Sequence, residues 1–419
     1  MAGSVAILHA SELVTLAGPA RPRVGNELRE LGIIRDGAML VRDGRIEAVG
    51  PSEEIARRLP NEIEVIDARG RVVLPGFVDA HAHPVFGGNR VGEFEMRAGG
   101  ATYEEIATSG GGIRATVRKT RAASEDQLLA EAQRRAAWFL RCGTTTMEAK
   151  SGYGLSLEEE LKILRVIRRL NETTPIEFVP TFLGAHAIPE EFRDRPNEYV
   201  DCLVDEMLPE VVRQSLAESC DIFCERGYFD AAATRRVLGA ARTAGLKLRM
   251  HADQLTNSGG ASLAAELGAT TADHLEQTEA AGIAAMRKAN VQPVLLPGSV
   301  YALGSMRYPQ ARAMIQAGLA IVLATDFNPG SSPTPSIPMI LSLAATQMKM
   351  TPAEALTAVT INAAYSLGRG DKIGSLEPGK LANFLICEVE DYRELAYWFG
   401  LPLIEAVYVH GRRVSGLPA

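Results

Sequence analysis

From about residue 75 to residue 368 the chain alternates short apolar runs with longer stretches whose apolar residues recur at helical spacing. Thr144–Glu148, Ile176–Thr181, Leu246–His251 and Ile321–Asp326 read as strands, because each is a compact run of β-branched and apolar residues. Residues 125–141, 157–171, 231–244 and 352–366 read as amphipathic helices. Alternating β and α predicts a parallel sheet. Roughly 300 residues of such alternation suit a (β/α)8 TIM-like barrel better than a three-layer sheet. A doubly wound dinucleotide fold lacks support, since no Gly-x-Gly-x-x-Gly opens a helix after a first strand. Gly110-Gly111-Gly112 lacks the Gly-Lys-Ser/Thr of a phosphate loop and reads as a flexible loop over the mouth of a site.

The flanks follow a different rhythm. Gly37–Gly50 reads as two short strands around an Asp43-Gly44 turn, a hairpin signal. Ala382–Cys387 and Ala406–Val414 repeat that style near the other end, the second run with its own glycine turn at Gly411. Both ends of the chain therefore predict one small β-sandwich domain, with residues 1–74 and 369–419 flanking a barrel at 75–368.

Composition narrows the function classes. The 419 residues are 46% hydrophobic with a formal charge of −7, the profile of a soluble globular protein. There is no basic cluster for nucleic acid and no apolar run long enough to span a membrane. The N-terminal stretch carries Glu12 and lacks a cationic start, so no secretory signal is expected. Five scattered cysteines suggest a reducing compartment, the cytoplasm; the Cys220/Cys224 pair has no second pair to complete a zinc site and reads as structural.

Chemistry enters at the ends of the strands. Arg71–Val78 reads as one buried strand, and it runs into His81-Ala82-His83-Pro84. Residues two apart on a strand face the same side, about 7 Å apart, so both imidazoles could reach one metal ion. Alone, the pair is as readily two ordinary histidines. But His251, His274 and Asp326 also stand where predicted strands stop, and so does His186. Strand ends are where barrel enzymes keep their chemistry. His9 and His410 fall in the β-domain and are assigned none. Three histidines and an aspartate suit one divalent ion, Zn²⁺ or Fe²⁺, that also holds a water. Asp326 is placed to shuttle a proton and His274 to hold the water or a developing oxyanion, which describes a metal-assisted hydrolase.

Pro75-Gly76-Phe77-Val78-Asp79-Ala80-His81-Ala82-His83 resembles the first-strand signature of the amidohydrolase superfamily, and Gly374–Asn383 resembles its return into the β-domain. Within the superfamily the chain resembles the imidazolonepropionase family over essentially its whole length. The motifs are Ala149–Leu155, Leu183–His186, His251–Gln254, Ala272–Glu276 and Thr325–Ser331. The resemblance implies ring opening of 4-imidazolone-5-propanoate to N-formimidoyl-L-glutamate and one metal on His81, His83, His251 and Asp326. It also implies substrate contacts from Arg90, Tyr153, His186, Gln254, Asn328, Gly330 and Ser331, and a homodimer. Arg90 suits the propionate, since a guanidinium grips a carboxylate with two donors. Some members carry a glutamate acid/base at position 254. Gln254 cannot accept a proton in that role and is expected to hydrogen-bond the ring, leaving proton transfer to Asp326 and His274. Some superfamily members bridge two metals with a carboxylated lysine; with one metal implied, Lys150 is expected to be structural or ion-paired. Two competitors stand beside this reading: a nucleobase aminohydrolase with the same metal set, and a non-catalytic barrel that binds or scaffolds.

Overall fold

The computed structural model describes residues 3–101, 105 and 110–416. Eight strands form the central barrel sheet: β6 (Phe77–Asp79), β7 (Thr144–Lys150), β8 (Glu177–Ala185), β9 (Ser219–Cys224), β10 (Lys247–Ala252), β11 (Thr271–His274), β12 (Gln292–Leu295) and β13 (Val322–Leu323). They neighbour one another in chain order and every pairing is parallel. Helices such as Glu125–Arg141, Leu157–Thr173 and Ala231–Thr243 connect them, as the spacing predicts. The sheet closes beyond the ends of its first and last strands. Ala82 bridges Phe327, Asp326 donates its N–H to the His81 carbonyl at 3.0 Å, and His83 donates to the Phe327 carbonyl at 2.8 Å.

A second sheet draws on both chain ends: β1 (Val5–Val14), β2 (Ile33–Arg42), β3 (Arg45–Pro51), β4 (Glu64–Asp67), β5 (Val72–Pro75), β14 (Phe384–Cys387), β15 (Ile404–Val409) and β16 (Arg412–Gly416). Ile7, Leu13, Met39 and Val41 from the first half share one core with Phe384, Ile386 and Tyr408 from the second. The two hairpins turn at Asp43-Gly44 and His410-Gly411, where all four residues take left-handed φ.

Two predicted elements divide. The run 71–78 is two strands: β5 pairs with β14 and β1 in the small sheet, whereas β6 begins the barrel beside β7. The junction is Gly76, whose N–H bonds the Asn383 carbonyl of the small domain at 2.9 Å. A Cβ there would lie 2.3 Å from Thr145 Oγ1, so no side chain fits. Residues 352–366 form two helices, Pro352–Ala358 and Ile361–Ser366, broken at Thr360 (φ −126°, ψ −98°). The break frees the Val359 carbonyl to accept from Val78 of β6 at 2.9 Å. Among the described residues, no helix is long and apolar enough to cross a membrane.

Register decides what fills the barrel. Glu148 pairs with Val179, Lys150 with Thr181, and His251 with Asp273, and paired residues share a face of the sheet. Val78, Val179, Val294 and Val322 pack together as an apolar floor with Ala363 and Ala364. Glu148, Lys150, Asp221, Arg249 and Asp273 form a charged layer above it together with His251, all buried. Replacing Gly76 by valine should cost about 1–3 kcal/mol, because the added carbons collide with Thr145 in a packed junction. Urea unfolding checks this, and a variant as stable as the parent would contradict the junction's tightness.

Candidate metal centre and active site

His81 and His83 follow β6, His251 lies near the end of β10, and Asp326 lies just beyond β13. Strand order brings them together: the His81 ring centroid lies 4.5 Å from that of His251 and 5.4 Å from that of His83. Asp326 Oδ1 stands 3.5 Å from His81 Nε2 and 3.7 Å from His83 Nε2. All four residues are buried.

Each of two imidazoles is aimed by a carboxylate behind it. Asp273 Oδ2 lies 2.6 Å from His81 Nδ1, and Asp221 Oδ2 lies 3.0 Å from His251 Nδ1. The Asp273 hydrogen bond places the His81 ring proton on Nδ1 and leaves its Nε2 lone pair facing the cluster, while the Asp221 carboxylate lies beside His251 Nδ1. Lys150 Nζ holds both carboxylates, at 2.6 Å from Asp221 and 3.5 Å from Asp273, and also Glu148 at 3.0 Å. Arg249 Nε closes the network on Glu148 at 2.9 Å. Burial alone would favour a neutral amine, but Asp221, Glu148 and Asp273 outweigh it and raise the pKa of Lys150.

The cluster fits a cation. Buried His81 Nε2 has no hydrogen-bond partner. Burial holds His81 and His83 well below the usual imidazole pKa and brings His251 to about 4, so all three are neutral at pH 7, the form that can coordinate a metal. Neutral nitrogens with lone pairs turned toward an aspartate oxygen repel it unless a positive charge lies between them. His81, His83 and His251 offer ligand atoms within 4.8 Å of one another, as do His81, His274 and Asp326. A further set, His81 with Glu148 and Asp273, meets the same distance, but there the Lys150 ammonium already bonds Glu148 and approaches Asp273.

His274 and Asp326 both sit on strained backbone, with φ of 78° and 52°. Burial disfavours the charged form of His274, but Glu276 at 3.4 Å, with Asp326 and Asp273, outweighs it and raises the pKa. Burial pushes Asp326 up to about 6.

A cavity of about 530 Å³ opens over the cluster, and Arg90, Tyr153, His186, Gln254, Asn328, Gly330 and Ser331 all line it. Gly112, at the end of the glycine run, lines it too. Arg90 donates from Nε and Nη2 to Glu93 Oε2, at 2.9 and 2.6 Å. His186 is stacked on His83 at 5.1 Å and gives its Nδ1 proton to the Gly152 carbonyl at 3.0 Å. Burial and the Asp326 charge raise the pKa of Tyr153, keeping its hydroxyl a donor. The Asn328 side chain is spent on its own loop: its amide bonds the Asp326 carbonyl and Ser331 Oγ, and its oxygen accepts from the N–H groups of Gly330 and Ser331.

The matches to known proteins agree with this architecture. The amidohydrolase family model matches residues 72–414, and a model of the bacterial imidazolonepropionase-like composite domain matches residues 37–61. Over 98% of each chain, the protein is 63% identical to an imidazolonepropionase of Solibacter usitatus (strain Ellin6076). It is 49% identical, over 97% of each chain, to one of Geobacillus kaustophilus (strain HTA426). The chain belongs to the imidazolonepropionase family of amidohydrolases. Solved structures share the fold at low identity. A 5-methylcytosine deaminase from Klebsiella pneumoniae superposes with a TM-score of 0.75 at 16% identity, covering 99% of this chain and 98% of its own. A zinc-bound adenosine deaminase from Xanthomonas campestris gives 0.71 at 18% identity, covering 98% and 92%.

What strand-end reading missed in this family member is the supporting carboxylates. Asp221 and Asp273 stand behind His251 and His81 from inside the barrel, Glu148 shares Lys150 with them, and Glu276 faces His274. Glu160 accepts from the N–H groups of Gly152, Gly154 and Leu155 and so shapes the loop that carries Tyr153. Glu225 does the same for Leu255 and Thr256 beside Gln254. One signal was available: charged residues at alternate positions of a buried strand, as in Glu148-Ala149-Lys150 and Arg249-Met250-His251, point into the barrel. Lys150→Met should destabilise the fold by about 3–5 kcal/mol, since it removes the cation that three buried carboxylates share and leaves Arg249 paired only with Glu148. Calorimetric unfolding would show this as a lowered melting temperature, and an unchanged one would contradict the network.

Proposed function

We propose that the protein is a metal-dependent imidazolonepropionase, which hydrolyses the cyclic amide C–N bond of 4-imidazolone-5-propanoate to give N-formimidoyl-L-glutamate. The observation that carries this reading is the placement of a guanidinium, Arg90, and a cation-competent His/Asp cluster on one cavity of a chain from this family. His81, His83, His251 and Asp326 would hold one divalent ion, Zn²⁺ or Fe²⁺. When bound, it supplies Lewis-acid polarisation of the ring carbonyl and lowers the pKa of a water.

The protein's own groups do the rest. Arg90 takes the propionate and so fixes the ring over the cluster. Tyr153 donates to the substrate, and His186, its Nδ1 proton committed to Gly152, offers Nε2 as an acceptor. Gln254 hydrogen-bonds the ring without exchanging a proton. Water attacks the carbonyl carbon; Asp326, raised to about 6, takes its proton and remains largely ionised at pH 7 beforehand. His274, whose protonated form Glu276 favours, stabilises the charge that builds on the carbonyl oxygen. The bond from that carbon to the ring nitrogen breaks, and Asp326 returns the proton to the nitrogen. Gly330 and Ser331 form the wall beside Asp326, with Asn328 as its internal brace. The same reading places the enzyme in the cytoplasm, with its free cysteines in support, and in a homodimer, as the family resemblance implies.

The test is ring opening by metal-quantified protein, followed as loss of imidazolone absorbance, with Arg90→Ala as a second arm. Turnover should far exceed the spontaneous rate, and Arg90→Ala should raise KM about 30-fold, as loss of a charged hydrogen bond does, with metal content unchanged. Activity no faster than the spontaneous reaction would sink the assignment. Equal turnover of a ring without the propionate would favour a nucleobase aminohydrolase instead.

A further inference from the structure

Arg90 is already occupied by a carboxylate of its own chain. It caps the helix Val91–Ala98, and Glu93 stands three residues on, within the first turn. The pair is well shielded, with side-chain exposures of 18% and 14%. Both donors on the Nε/Nη2 edge of Arg90 converge on Glu93 Oε2. The opposite nitrogen is closed off by the backbone: a Cβ on Gly330 would lie 2.0 Å from Arg90 Nη1. Arg97, on the same wall, reaches the Gly330 carbonyl at 3.3 Å and holds that backbone in place. The planar fork of a guanidinium binds a carboxylate best through two parallel N–H groups. With Gly330 against Nη1, the edge left for an incoming carboxylate is the one Glu93 now fills.

We infer that Glu93 is a resident stand-in for the ligand carboxylate: it keeps the Arg90 fork aimed and satisfied while the cavity is empty, and a substrate carboxylate displaces it. This rests on the reading of the cavity as a propionate pocket. Glu93 thereby sets the affinity for the carboxylate end of the substrate. Each binding event must first break the internal pair, so the observed affinity is reduced by the fraction of Arg90 held closed.

Glu93→Gln removes the charge, and Glu93→Asp shortens the arm so that it reaches the fork poorly. Both should lower KM for the propionate substrate about three- to tenfold, and both should tighten the binding of butanoate to the full-length protein by a similar factor in calorimetry. Arg90→Ala should abolish the butanoate response, which separates binding at this fork from binding at the metal. A rise in KM and weaker butanoate binding would make Glu93 a brace that substrate needs, and would overturn the exchange; so would no change in either variant. The butanoate titration does not depend on turnover. Wild-type protein that fails to open the imidazolone ring, with Glu93 variants that still bind butanoate more tightly than it does, would refute the proposed reaction and leave the exchange standing.

Discussion

Everything at the centre of this molecule hangs on a lysine that has no access to water. Lys150 Nζ lies among Glu148, Asp221 and Asp273, and Arg249 completes the set by reaching Glu148 from β10, across the barrel from β7. Taking five charges out of water is costly, and the mutual attraction returns that cost only when geometry is good and every member is present. The arrangement therefore adds little net stability, but it fixes positions. Asp221 and Asp273 cannot move without unpairing from Lys150, and they are the groups that hold His251 and His81 by their Nδ1 atoms. A buried ion network is thus converted into aim: two neutral imidazoles present Nε2 to the same point.

The second constraint is closure. The barrel's first and last strands are short, three residues in β6 and two in β13, and the seam between them is made by the functional residues' own backbone. Asp326 bonds the His81 carbonyl and His83 bonds the Phe327 carbonyl, so cluster residues from opposite ends of the sheet are stitched to each other. Asp79, buried and pushed up to about 7 by that burial, pins Thr325 through both its N–H and its hydroxyl, one residue before Asp326. Such anchoring is what lets Asp326 keep left-handed backbone, at a cost of about 1–3 kcal/mol.

Much of this was legible in the residues. Alternating strand and helix periodicity announced the barrel, and the two glycine hairpins announced a domain shared by both ends. The strand-end histidines and Asp326 were visible because chemistry in barrels sits where strands stop. Their mutual distances were not, since these depend on the order in which strands neighbour one another. Gly76 hid the change of sheet within a run that periodicity reads as one strand, because a glycine flanked by apolar residues does not interrupt the pattern. The Thr360 break hid for a similar reason: a threonine is compatible with a helix, and only the Val78 N–H awaiting the Val359 carbonyl explains it. The pairing of Arg90 with Glu93 is local in sequence but meaningful only once Gly330, 240 residues further along the chain, is seen to close the other side.

The Lys150 ammonium occupies the space between Glu148 and Asp273, which under the proposed function leaves His81, His83, His251 and Asp326 as the single place for a metal ion. Titration of metal-stripped protein with Zn²⁺, read by calorimetry and by elemental analysis after desalting, tests it directly. Saturation is expected at one ion per chain. Two tightly held ions per chain, or none, would contradict it.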